Sequence, residues 1–324
     1  MPLLNAAGDV DLSSAGYKFL IDTLSYIRKR IVSQKFYEID IADYLPVDVG
    51  EAAWSSEIVQ NAEFYDGGSF FEGDVEMGGS RISRVDAAFE PNRMPVRTWR
   101  KKTSWMISEI EQAAVAGNWD PVEAKLRSLK KNWDLGIQEL AFLGRPNDSV
   151  MTGLLNNAAV TINTALIGEN ISSMTTAQFA TFVASVLAVY QANANYTALP
   201  DRFIIPTDDY LGLGVPVSQN YPNIAMLDYL QNMFAKMTGN PGFKILPLTY
   251  AQKALNNSLS GLNKHRYVLY RCDPETLSLS IPVDFTMLEA RTLNGFDWEQ
   301  LAYGQYSGVL VNRIREVLYI DNAA

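Results

Sequence analysis

His265 and Cys272 are the only histidine and the only cysteine in the chain. That stock is too small for a multi-histidine or multi-cysteine zinc site, which takes three or four such ligands. A single thiol cannot close an internal disulfide either. A serine–histidine–aspartate triad would have to recruit His265. That residue sits in Asn263-Lys264-His265-Arg266, just ahead of the strand-like Tyr267-Val268-Leu269-Tyr270. It reads as a polar turn residue, since geometry comes before role when a base is assigned. Carboxylate-only sites for Mg²⁺ or Ca²⁺ are left, and Asp208-Asp209 with Glu72, Asp74 and Glu76 are the candidates. Neither group follows calcium-loop spacing, so solvated carboxylates are expected.

Gly212-Leu213-Gly214 has no third glycine in phase and no lysine–hydroxyl pair after it, so it reads as a turn and not a phosphate loop. No Gly-x-Ser-x-Gly elbow joins a strand to a helix. Tyr190, Tyr196, Tyr210, Tyr221 and Tyr229 could stack sugars or bases, but their places in helices and strands favour core or interface. These residues make up no catalytic, cofactor-binding or metal constellation.

The 324 residues, 48% hydrophobic and 11% aromatic, have globular composition and suggest two domains, or one large domain with an excursion. Charged residues are 19%, whereas disorder needs high charge with few aromatics. Lys plus Arg number 27 against 36 acids, a net charge of −9, which suits a poor binder of DNA phosphates. Residues 1–11 place no cation ahead of an apolar run, so no signal peptide is expected. The most apolar uncharged stretch, 177–190, is too short for a membrane span of about 20 residues. A soluble protein made in the cytoplasm is expected.

The elements follow from periodicity. In 13–31, Tyr17, Leu20, Leu24, Ile27 and Ile31 fall on one helical face, Ser13 or Ser14 caps the start, and Arg28, Lys29 and Arg30 complement the dipole at the end. Residues 39–49 read as an extended arm around Pro46. Residues 51–102 are the oddest region. They hold strand-like pieces at 54–59, 81–89 and 96–99, glycines at Gly67-Gly68, Gly73 and Gly78-Gly79, and no apolar face of their own. Residues 51–80 carry seven acids and no base, and 81–102 carry seven bases against two acids. A hairpin pairing its acidic limb with its basic limb would account for this, and so would a limb reaching a neighbouring molecule.

A short helix is predicted at 104–116. A long one at 120–143 has Asp120 as N-cap, Pro121 at the first position, Glu123 completing a capping box, and Gly144 with Pro146 as the stop. Its stripe is Val122, Leu126, Leu129, Trp133, Ile137, Leu140 and Leu143, with Lys125, Arg127, Lys130 and Lys131 off it. Helices at 177–192 and 224–237, a helical turn at 208–211 and strands at 203–206, 243–248, 265–272 and 277–285 follow. The stretch 305–320 reads as one long strand or hairpin. Helices and strands without regular alternation make the chain α+β.

This order of elements resembles the major capsid proteins of tailed bacteriophages, the Hong Kong 97-type fold that encapsulin shells share. The residues that carry the likeness are Ser108-Glu-Ile-Glu-Gln-Ala-Ala-Val-Ala-Gly117, the capped helix 120–143, Phe142-Leu143-Gly144 leading to Thr152-Gly153-Leu154-Leu155-Asn156, and the closing run from Gly308-Val309-Leu310-Val311 to Tyr319-Ile320-Asp321. The resemblance implies an N-terminal arm (1–50), an extended loop lying over a neighbouring subunit (51–102), a peripheral domain (103–160 and 291–324) with 120–143 as spine, and an axial domain (161–290). It implies no enzyme and no cofactor. Its functional residues would be intersubunit contacts, with Glu63, Asp66, Glu72, Asp74, Glu76, Arg81, Arg84 and Arg93 as candidates. Its partners would be further copies in pentamers and hexamers, a portal, scaffold or decoration proteins, and enclosed double-stranded DNA, with no membrane. The place of action would be the virion. Some members join a loop lysine to an asparagine; the distal loop, 60–95, has no lysine, so that crosslink is not expected. The alternatives are an encapsulin-like compartment shell, or a hydrolase or lectin using carboxylates and tyrosines.

Overall fold

In the computed structural model the described residues are 34–66, 86–116, 120–218, 220–259 and 261–322. The helix expected at 13–31 lies outside them.

One mixed sheet of five strands separates two apolar cores. Its order is Thr161–Asn163, Val317–Asp321, Arg266–Tyr270, Arg202–Pro206 and Lys244–Leu248. After their opening arginines, Arg202–Pro206 and Arg266–Tyr270 are apolar throughout, as strands covered on both faces tend to be. Side chains alternate between faces. Phe203, Ile205, Tyr267, Leu269, Leu318 and Ile320 join the core formed with helices Thr176–Asn193 and Met226–Thr238. Ile204, Val268, Tyr270, Val317 and Tyr319 join the core beneath the long helix Pro121–Leu143.

That helix starts where its cap predicts. Asp120 Oδ1 accepts from the backbone N–H groups of Val122 and Glu123 at 2.9 and 3.1 Å. Glu123 does not complete the box; its carboxylate pairs with Arg127 one turn on, at 3.2 Å. The stripe is buried from Leu129 onward, while Val122 and Leu126 are half-buried. The N-terminal turns are therefore less deeply buried, Pro121 excepted. The helix Thr176–Asn193 has a true capping box: Thr175 N–H donates to Gln178 Oε1 at 2.8 Å, and Gln178 N–H donates to Thr175 Oγ1 at 3.4 Å.

A second sheet joins Val47–Val49, Leu277–Ile281 and Val309–Val311. A third builds on Asp297–Tyr306, which pairs with Arg97–Met106 over ten residues and also with Val283–Met287 and Arg291–Thr292. Three expectations change here. The predicted helix at 104–116 begins at Ile107, because the strand Arg97–Met106 continues through Trp105, which is buried. The predicted strand 277–285 is broken at Pro282, which has no N–H to donate to a ladder. The predicted single strand or hairpin at 305–320 is divided among three sheets, and Val317–Asp321 enters the central sheet beside Arg266–Tyr270. Strand pairing thus crosses the expected boundary between 290 and 291.

The Gly153-Leu154-Leu155-Asn156 segment has a clear physical role. The last carbonyls of a helix have no intrahelical partner. Here Leu154 and Leu155 N–H groups donate to Ala141 and Phe142 carbonyls at 2.9 and 2.8 Å, and Asn156 Nδ2 donates to the Leu143 carbonyl. Asn156 Oδ1 accepts from Gly153 N–H at 2.7 Å. Gly144 and Gly153 pass so closely that a Cβ on either would strike the other's backbone or its neighbours', and Gly144 also has φ +70°.

Candidate intersubunit surface

His265 and Cys272 are both held partly inside the fold. His265 is half-buried, and its Nδ1 accepts from Lys253 N–H at 3.4 Å. Burial pushes its imidazole below the ordinary 6.5, against the pull of Asp208 and Asp209. Cys272 is half-buried, with burial pushing its thiol above the ordinary range, and its N–H donates to Asp201 Oδ1 at 2.7 Å. Such a thiol is far from the thiolate a nucleophile needs.

Asp209 corrects the expectation of solvated carboxylates. It is 1% exposed and accepts from Ile171 N–H, Ser172 N–H and the Tyr267 hydroxyl at 2.9, 2.8 and 2.6 Å. It pins the turn Ile171–Ser173 to the sheet. Asp208 beside it is exposed and accepts from Gln252 at 3.0 Å. Among the tyrosines, Tyr190 is buried and donates to the Glu316 carbonyl at 2.8 Å, Tyr229 packs on Phe179, and Tyr196 is exposed. Among the described residues no three carboxylate, histidine or cysteine side chains are placed to hold a metal, and no helix is long and apolar enough to cross a membrane.

What the chain does present is a hairpin. Glu57–Asp66 and Asp86–Pro95 pair antiparallel over ten residues, Glu57 opposite Pro95 and Asp66 opposite Asp86. The hairpin is held at its base. Met94 is buried against Met151 and Leu310, and Asn92 Nδ2 donates to the Val311 carbonyl at 3.3 Å. The loop before it is fixed by Trp54, whose N–H donates to Gln305 Oε1 at 2.8 Å and whose ring packs on Tyr303. Beyond the base the side chains are mostly exposed, Phe89 to 69% and Val59 to 45%.

The register decides how far the limbs neutralise each other. Arg93 meets Glu57 at 2.8 Å, both well exposed. Glu63 faces Phe89 and Asp66 faces Asp86, so neither acid has a base opposite it. Basic residues of the return limb past the hairpin turn elsewhere: Lys102 Nζ lies 3.0 Å from Glu299, and Lys101 donates to Asn132 at 2.7 Å. Local pairing thus reaches one of the candidate contacts, Arg93, and leaves Glu63 in solvent. Glu72, Asp74, Glu76, Arg81 and Arg84 lie outside the described residues.

Sequence reasoning missed a second polar feature. Arg266 and Asp321 form a buried bidentate pair at 2.6 and 2.7 Å, each 5% exposed at the side chain. Arg266 Nη1 also donates to the Leu155 carbonyl at 2.6 Å, and the guanidinium stacks 4.5 Å from the Tyr319 ring centre. This ties the Gly153–Asn156 segment to the final strand. The only available signal was an arginine opening an otherwise apolar strand.

A family model described as "Major capsid protein" matches residues 75–322. None of the curated proteins matches. Among solved structures, the capsid of Myoviridae phage XM1 superposes with a TM-score of 0.76 at 17% identity, covering 93% of this chain and 97% of that one. The capsid of a native GTA particle gives 0.59 at 11% identity over 99% and 100%. A virus-like particle from Pyrococcus furiosus gives 0.54 at 13% identity over 86% and 91%. At such identities the structures speak for the fold, which is the Hong Kong 97-type expected from the element order. The comparisons favour neither the compartment-shell alternative nor a hydrolase or lectin. A hairpin reaching past its own core, a sheet that consumes the polar side chains as internal struts, and a family match over most of the chain lead to one conclusion: the chain belongs to the major capsid protein family and is a structural subunit of a capsid shell.

Proposed function

We propose that this subunit assembles into pentamers and hexamers that close into an icosahedral shell around double-stranded DNA, and that it acts through contact alone, without catalysis. The observation that carries the reading is the hairpin Glu57–Asp66 and Asp86–Pro95, anchored at its base and exposed along its length. A two-stranded hairpin is marginal in water by itself. A neighbour's surface would cover Val59 and Phe89 and offer partners to Glu63 and Asp66, with Glu72, Asp74, Glu76, Arg81 and Arg84 further along the same excursion. Closed symmetric assemblies supply that surface in every copy.

In the shell, the unit around the helix Pro121–Leu143 would be peripheral and residues 161–290 axial, with Val317–Asp321 bridging them. A net charge of −9 suits a wall that encloses DNA without gripping its phosphates. A portal and scaffold or decoration proteins would complete a particle made in the host cytoplasm. Negative-stain microscopy with analytical ultracentrifugation tests the reading. Rings or closed particles are expected at high concentration, alone or with a scaffold. A strictly monomeric species at every concentration and salt would overturn it.

A further inference from the structure

Asn294-Gly295 is the only asparagine–glycine pair in the chain. It lies in the turn between Arg291–Thr292 and Asp297–Tyr306, and both residues are exposed, so water reaches them. Leu293 N–H closes the turn by donating to the Asp297 carbonyl at 2.8 Å. Three hydrogen bonds converge on the Asn294 side-chain amide. Phe296 N–H and Asp297 N–H both donate to its Oδ1, at 3.0 and 2.7 Å, and its Nδ2 donates to Asp297 Oδ2 at 2.6 Å. Gly295 has φ +86°, and no heavy atom lies within 4 Å of the place a Cβ would take. Its N–H donates to Thr292 Oγ1 at 2.8 Å, and that hydroxyl donates in turn to the Asp297 carbonyl at 3.3 Å.

We propose that Asn294 is a site of self-modification, in which the Gly295 nitrogen displaces the side-chain amide and Thr292 governs the rate. The nitrogen gives its proton to water and bonds to Asn294 Cγ. The Cγ–Nδ2 bond breaks, and the amide takes a proton from water and leaves as ammonia. One water molecule then opens the cyclic imide to aspartate or isoaspartate. Each chain reacts once, so the step is not turnover. In the intermediate the negative charge falls on Oδ1, where two N–H groups already point, and donors preset at a developing oxyanion favour its formation. Glycine brings no side chain to hinder the approach of its nitrogen. Thr292 acts the other way. In the imide, Cγ takes up the direction that the N–H bond has now, so the Gly295 N–H must leave Thr292 Oγ1 before the ring closes. The product carries a carboxylate where Nδ2 was a donor, and it faces Asp297 as a like charge. The same turn presents Leu293 and Phe296, 60% and 72% exposed, and the Phe296 carbonyl accepts from Ile107 N–H at 3.1 Å. The modification therefore alters an exposed apolar patch and the start of the helix Ile107–Ala116.

The test ages the full folded chain in ammonium-free buffer at mildly alkaline pH and follows each asparagine by peptide mass mapping. Asn294 should convert at least tenfold faster than any other asparagine in the chain. In water enriched in heavy oxygen the product should carry one solvent oxygen. Hydroxylamine, which cuts the cyclic imide, should split the ageing chain between Asn294 and Gly295. Thr292→Val keeps the shape and removes the acceptor, and should raise the rate at least threefold. Thr292→Ser keeps the hydroxyl and should return the rate to that of the wild type. Gly295→Ala should slow conversion at least tenfold. Thermal melting confirms that each variant is folded, the substituted positions being exposed. An Asn294 that lasts as long as the other asparagines would overturn the proposal. So would a rate unchanged by Thr292→Val, or raised equally by Thr292→Val and Thr292→Ser, since the latter marks a loosened turn and not a lost hydrogen bond.

Discussion

Arg266 shows what a buried charge does in this subunit. Its guanidinium donates twice to Asp321 and once to the Leu155 carbonyl and lies over the face of Tyr319, so it ties three segments to one point. Asp321→Ala leaves that cation unpaired and should destabilise the subunit by about 3–5 kcal/mol in denaturant unfolding. Replacing both partners by apolar residues of similar volume should cost far less. Glu299 supplies a pH dependence. Hydrogen bonds from Lys102 and Arg291 hold its carboxyl below the ordinary 4.5. A depressed carboxyl stabilises the folded state above its unfolded pKa, and that contribution is lost as pH falls through the folded value. Melting temperature measured from pH 7 down to 3 should therefore fall less steeply in Glu299→Gln than in the wild type, from a lower starting point.

At the scale of elements, the long helix and the loop docked on its end behave as one unit. Leu140 lies in the buried part of the stripe, whereas Lys130 is exposed. Leu140→Ala should cost about 2–5 kcal/mol as a large-to-small core change. Lys130→Ala should stay within about 0.5 kcal/mol. Equal losses by chemical denaturation would mean that the helix faces the other way. Gly153→Ala forces a methyl into the backbone of the helix end. It should destabilise more than Leu126→Ala, since Leu126 is only half-buried and its surroundings can relax. The capped N-terminal turns, where Val122 and Leu126 are only half-buried, contribute less than their regular sequence suggests.

For the whole molecule the question is whether the excursion serves the monomer or the shell. Deleting residues 67–79 shortens the connection between the two paired limbs and leaves the limbs themselves. A folded subunit with an unchanged melting profile is expected, able to form rings but unable to close particles, as read by circular dichroism and microscopy. Normal closed particles would reject the intersubunit role, and an unfolded subunit would show that the deleted residues are needed by the monomer itself. Exposed ion pairs are worth under about 1 kcal/mol each. They are screened over about 8 Å at physiological salt, so closure that depends on many of them should weaken as salt rises.

The helix Pro121–Leu143 was legible in the sequence because its signals are local: Asp120, Pro121, Gly144 and a repeat at helical spacing act within a few residues of one another. The same holds for the apolar central strands and for the order of elements that carries the family likeness. The hairpin's existence was legible; its register was not, and register is what leaves Glu63 facing Phe89 instead of a base. The burial of Asp209 and the Arg266–Asp321 pair were hidden as well. Their partners lie 38, 58 and 55 residues away. No local pattern records that distance. The last residues divide among three sheets for the same reason: which strands meet is decided by burial of both faces at once, a property of the packed chain. Sequence periodicity determined the long helix, the helix at Thr176–Asn193 and the apolar central strands; only tertiary packing decided where the other strands end, which polar groups become internal struts and which stay exposed.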